Sequence, residues 1–168
     1  MSDIPPVAES PNAPAPDGVT TGRLLVCERG GHWAGVLRRE LAASGVRVWE
    51  TRTLADCWNE LARSPASFLV VELGSDVAGL LRRMIRQGRE FPEAHVAIVA
   101  DRGRTGYAWL MREAGAVYFL TSPRQVGRLA QLACRHLDQV PPPPQSLAER
   151  IWASLPWAER RSVENSPS

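Results

Sequence analysis

The sequence predicts a three-layer α/β domain, with a five-stranded parallel sheet covered on both faces by helices. Short runs of β-formers alternate five times with segments of helical period, and the alternation lies between two proline-rich stretches. The first stretch, residues 1–21, carries Pro5, Pro6, Pro11, Pro14 and Pro16 among small polar residues and reads as a disordered Pro/Ala-rich tail. The second, Pro141–Pro144, cannot donate backbone hydrogen bonds and reads, with Gln145, as a semi-rigid linker over 141–145. The expected domain is therefore 22–140, followed by a short amphipathic segment over 146–168.

Each element has its own signal. Arg23–Cys27 (RLLVC) is the first strand. Its helix runs from about Trp33 to Ser44, with Trp33, Val36, Leu37 and Leu41 on one face, and Gly45 ends it. Residues 46–50 (VRVWE) form the second strand, followed by a helix holding Leu54, Cys57, Trp58 and Leu61. FLVVEL, 68–73, is the most continuously apolar run and the expected central strand, buried on both faces. The third helix uses Val77, Leu80, Leu81, Met84 and Ile85, with Arg82, Arg83, Arg86 and Arg89 turned to solvent. HVAIVA, 95–100, leads to a helix with Trp109, Leu110 and Met111. VYFLT, 117–121, leads past Pro123 to a last helix with Val126, Leu129, Leu132, Ala133 and Leu137.

Composition narrows the chemistry. Hydrophobic residues are 44% of the chain and charged ones 23%, as in a folded soluble domain, and a net charge of +2 is too small to imply nucleic acid or a membrane surface as partner. Every one of the 20 basic residues is arginine. With no lysine, any step needing a primary amine, such as a Schiff base or a lysine clamp on a phosphoryl group, is excluded within this chain. Cys27, Cys57 and Cys134 form no CxxC or metal spacing and are expected to be reduced, buried thiols. With no leader-like start and no apolar run of membrane-spanning length, the expected location is cytoplasmic.

The order of elements, and AGAVYFLTSP over 114–123 above all, resembles the receiver domain of bacterial response regulators, over roughly residues 23–138. The resemblance implies a flavodoxin-like, CheY-like sheet of order 2-1-3-4-5 with its chemistry at the carboxyl ends of the strands. It also implies a phosphoryl transfer: acids after strand one hold Mg²⁺, an aspartate ends strand three, a hydroxyl follows strand four and a lysine follows strand five. Here those positions fall on Cys27 and Glu28, on Glu72, on Ala100 and on Ser122, with Pro123 following as in the family. The signalling aromatic of strand five is matched by Phe119. A thiol is a poor magnesium ligand, Glu72 is about 1.5 Å longer than an aspartate, Ala100 has no oxygen and Ser122 has no amine. The scaffold is thus expected to persist without the chemistry, giving a degenerate pocket of Cys27, Glu28, Glu72, Ala100, Phe119, Ser122 and Pro123, with no catalytic residue, metal or cofactor.

Other features carry plainer readings. Glu72 would imitate a charged acceptor, but it also reads as a solvated strand-end residue. Gly30 and Gly31 fit no phosphate-loop pattern and read as a turn. His32, His95 and His136 share no motif and read as structural or surface residues. Trp33, Trp49, Trp58 and Trp109 read as core or half-buried packing. Beyond the prolines, Ser146 and Glu149 form a capping box, and Ile151, Trp152, Leu155 and Trp157 supply the anchors of a candidate partner-binding helix, which docks either on its own domain or on a partner.

The function expected from all this is a non-enzymatic pseudo-receiver in bacterial signal transduction, acting by phosphorylation-independent protein–protein interaction. Its protein partner, or a homodimer, would use the helix 4/strand 5/helix 5 face, including parts of 107–112 and 125–137. The 28 residues after Val140 are too few for a DNA-binding output domain. The alternative is a small-molecule- or metal-sensing pocket at the strand ends. A phosphoacceptor role for Glu72 in a two-component phosphorelay ranks last.

Overall fold

The computed structural model describes residues 22–141, and Ile151, Trp152, Leu155 and Trp157 lie outside them. Five strands, β1 (Leu24–Cys27), β2 (Val48–Thr51), β3 (Phe68–Glu72), β4 (His95–Val99) and β5 (Ala116–Leu120), form one parallel sheet of order β2-β1-β3-β4-β5. Five helices connect and cover them: α1 (His32–Glu40), α2 (Leu54–Arg63), α3 (Val77–Glu90), α4 (Ala108–Glu113) and α5 (Val126–Gln139). Short 3₁₀ helices precede the last two, at Arg102–Tyr107 and Pro123–Gln125.

The period of two along each strand divides the core into two layers. Leu25, Leu69, Val71, Val96 and Ile98 point to one side and meet Trp58 and Leu61 of α2, Leu80 and Met84 of α3 and Met111 of α4. Leu24, Val26, Phe68, Val70, Ala97 and Val99 point to the other and meet Trp33 and Leu37 of α1 with Leu129 and Ala133 of α5. β3 is central, as its unbroken apolar run requires, and Phe68–Val71 are all buried. Each such side chain contributes roughly 1.5–3 kcal/mol by leaving water.

The helix ends follow local chemistry. The Thr53 hydroxyl accepts the Asp56 N–H at 3.1 Å to cap α2, and the Asp76 carboxylate accepts the Gly79 N–H at 2.8 Å to cap α3. Buried Gln87 donates to the carbonyls of Phe91 and Ala94 at 3.0 and 3.1 Å, tying the end of α3 to the approach to β4.

Several expectations need correction. α1 ends at Glu40 rather than Ser44, because the chain passes through turns to Gly45 at φ +70°, and β2 consequently starts at Val48. The fourth helical segment is a 3₁₀ helix followed by only six α-helical residues. Ile85 and Trp109, read as packing residues, are 53% and 70% exposed. Helical period marks an apolar side, but it does not say how far around the helix the neighbouring layer reaches.

Candidate functional site

The parallel sheet brings the carboxyl ends of β1, β3, β4 and β5 together, and with them all seven residues expected to form the degenerate pocket. Cys27 ends β1 in register with Thr51 and Val71, and Glu72 ends β3 opposite Val99. Ala100 follows β4, its N–H donating to the Leu120 carbonyl at 2.9 Å. Phe119 lies in β5, half-buried against the α2–α4 layer, while Ser122 and half-buried Pro123 open the turn before α5.

What the two carboxylates do is set by the loop between β1 and α1. Gly31, at φ +74°, takes the N-cap position of α1 and has no side chain to accept the free amides of the first turn. Buried Glu28 fills that role: Oε2 accepts the Trp33 N–H at 2.8 Å and Oε1 the Ala34 N–H at 2.5 Å. Negative charge at a helix N-terminus is stabilised by the helix dipole as well as by the hydrogen bonds. Glu72 approaches the same loop from β3, and its Oε2 accepts the Arg29 N–H at 2.9 Å. Both acids thus brace the β1–α1 loop. Sequence reading gave Glu28 only a pocket position; a glycine at N-cap three residues downstream was the available signal for its capping role.

Arginines surround this region. Arg52 donates to the Arg29 carbonyl at 3.1 Å and pairs with Glu50 at 2.5 Å, and Glu50 also takes Arg38 at 2.8 Å. Arg104 donates to the Gly74 carbonyl at 2.7 Å and so ties the β4–α4 segment to the end of β3.

These groups do not fit Mg²⁺. Cys27 offers soft sulfur, both oxygens of Glu28 are taken by backbone amides, and Glu72 accepts from Arg29. Among the described residues no group of three or more His, Cys, Asp or Glu is placed to hold a metal. No amine stands at Ser122 and no hydroxyl at Ala100 to grip phosphoryl oxygens.

Two pairings were not legible in the linear spacing. Cys27 of β1 and Cys57 of α2 are packed in the same layer of the core, and a hydrogen bond between the thiols is the leading influence on both. This bond, aided by the Thr51 hydroxyl, holds the Cys27 thiol below its ordinary value against the effect of burial. The same bond, together with burial, pushes the Cys57 thiol well above it. At the opposite end of the sheet, the His95 and His136 rings lie 4.4 Å apart, and His136 Nε2 is 2.9 Å from the Ala66 carbonyl. Burial, and secondarily His136, lower the pKa of His95.

No protein-family model and no curated protein matches this sequence. Solved structures do match. The beryllofluoride-activated NtrC4 receiver domain dimer superimposes with a TM-score of 0.57 at 19% identity, over 68% of this chain and 94% of that one. An orphan response regulator of H. pylori gives 0.58 at 18%, over 70% and 98%. The CheY-like protein TadZ from Pseudomonas aeruginosa gives 0.56 at 19%, over 68% and 98%. No helix among the described residues is long and apolar enough to cross a membrane. Sheet order, layers and these superpositions agree: residues 22–141 have the fold of response regulator receiver domains.

Proposed function

We propose that this chain is a non-enzymatic pseudo-receiver that works through phosphorylation-independent protein–protein interaction on its α4–β5–α5 face. The observation that carries the reading is Trp109, 70% exposed on α4, with Tyr107 40% exposed just before it and Val117 44% exposed on the neighbouring edge strand β5. Large exposed apolar side chains on adjoining elements suit a protein partner, since aromatic side chains anchor interfaces. The pocket chemistry supports the other half of the reading. Glu28 caps a helix, Cys27 is a thiol, Ala100 is apolar and no lysine exists to neutralise an acyl phosphate. Signalling by shape in the cytoplasm, with a second copy as the simplest partner, then remains.

Two measurements test this. Incubation with acetyl phosphate and Mg²⁺ should leave the intact mass unchanged; a phosphoryl adduct lost in Glu72→Gln overturns phosphorylation independence. Sedimentation velocity over a concentration series should show self-association that Trp109→Glu weakens tenfold or more, a loss of about 1.4 kcal/mol. Association untouched by that change removes the face from the reading.

A further inference from the structure

Positive charge is concentrated on one helix. Four arginines against one glutamate give α3 a net +3, more than the +2 of the whole chain, so everything outside it sums to −1. Arg82 with Arg86, Arg83 with Arg86 and Arg86 with Arg89 stand three or four residues apart, and like charges at that spacing work against a helix. Little on the molecule relieves them. Among the described residues Arg82, Arg83 and Arg89 form no ion pair, and Arg86 has only Glu90, at 4.0 Å. Asp76, at the head of α3, is engaged as its cap.

The arginines share a shape as well as a charge. Gly79, Arg82, Arg83 and Arg86 line a concavity of about 280 Å³. The Arg83 guanidinium lies 5.8 Å from the centre of the Trp58 ring, which anchors that wall to α2. At 3.6 residues per turn Arg82, Arg86 and Arg89, all exposed, fall within about 60° of arc, and Ile85, 53% exposed, flanks them.

We propose that this face of α3 docks an acidic amphipathic helix of a partner protein, whose carboxylates meet Arg82, Arg86 and Arg89 while an apolar side chain covers Ile85. Guanidinium forks bind carboxylates through two parallel hydrogen bonds, and a helix carries acids and apolar groups in adjoining rows. The row from Arg82 to Arg89 is roughly 10 Å long at 1.5 Å per residue, which two turns of a facing helix match. A nucleic acid suits the face less well. Its phosphate backbone offers nothing to Ile85, and a chain that sums to −1 outside α3 gives little of the long-range field that a polyanion rewards. The site lies apart from the α4–β5–α5 face and does not depend on the reading proposed for that surface.

The test uses the full chain and a labelled synthetic peptide with adjoining helical rows of Glu and Leu, followed by fluorescence anisotropy at physiological ionic strength. Binding should saturate, and Arg82→Glu with Arg86→Glu should weaken it tenfold or more. Arg82→Gln with Arg86→Gln, which keeps good helix formers and removes the repulsion, should weaken it in the same direction with unchanged circular dichroism. Ile85→Ala should weaken it severalfold, and Trp109→Glu should leave it unchanged, separating this site from the other face. Absence of saturable binding, or binding that neither double variant weakens, would overturn the proposal. So would a DNA duplex that binds more tightly than the peptide through the same arginines, which would make the face a nucleic-acid site.

Discussion

The Glu28 carboxylate reaches six residues along the chain to accept the Ala34 N–H at 2.5 Å, so a residue at a metal-binding position of the receiver fold serves as the cap of α1. Trp33 donates to its other oxygen. Glu28→Ala should therefore leave buried amides unpaired and cost about 1–3 kcal/mol. Glu28→Gln, which keeps one acceptor oxygen, should fall between it and the wild type. Urea unfolding midpoints at fixed pH give the order; equal midpoints for all three would show that the cap carries no stability.

The tryptophans separate core from surface. Trp33 is 5% exposed and packs with Leu37 and Leu129, whereas Trp109 stands out from α4. Trp33→Ala should cost about 3–5 kcal/mol, and Trp109→Ala should stay within about 0.5 kcal/mol. Denaturant melts of dilute protein, below any self-association, would reveal a misplaced α4 if the two losses were similar.

The paired histidines predict a pH dependence with a definite sign. His95 titrates lower in the folded chain than its ordinary value of 6.5, chiefly through burial and then through His136. The unfolded chain therefore binds more protons below its ordinary titration range, so stability is full well above about pH 6.5 and declines as pH falls through and below it. His95→Asn should flatten that decline. Thermal melts from pH 5 to 7.5 measure it, and an unchanged slope would assign the acid sensitivity elsewhere.

Gly31 and Gly30 give a backbone contrast. A side chain at Gly31 would have to adopt φ +74°, while one at Gly30 meets nothing within 4 Å. Gly31→Ala should destabilise by about 1–2 kcal/mol and Gly30→Ala by much less. Paired urea titrations decide between strain at the α1 entry and general loosening of the loop.

The strands were legible because burial on both faces demands unbroken apolar runs, and Phe68–Val71 leave no other reading. The pocket positions were legible as well, since a parallel sheet gathers the strand ends wherever the order 2-1-3-4-5 holds. Side-chain direction was not. Glu28 and Glu72 read as a strand-end acidic pair, yet each bonds amides of the β1–α1 loop. Trp109 read as packing because a six-residue helix carries too few turns to define which side is covered.

By itself the sequence settled what no folding can alter: the alternation that builds the sheet, and a chain without a single primary amine on a side chain. Only the tertiary structure decided which distant groups are packed together, Cys27 with Cys57 in one core layer and His95 against His136. The physical reason is that composition belongs to the chain. Hydrogen bonds and ring contacts over such separations exist only once helices close down on the sheet and bring those atoms within a few ångströms.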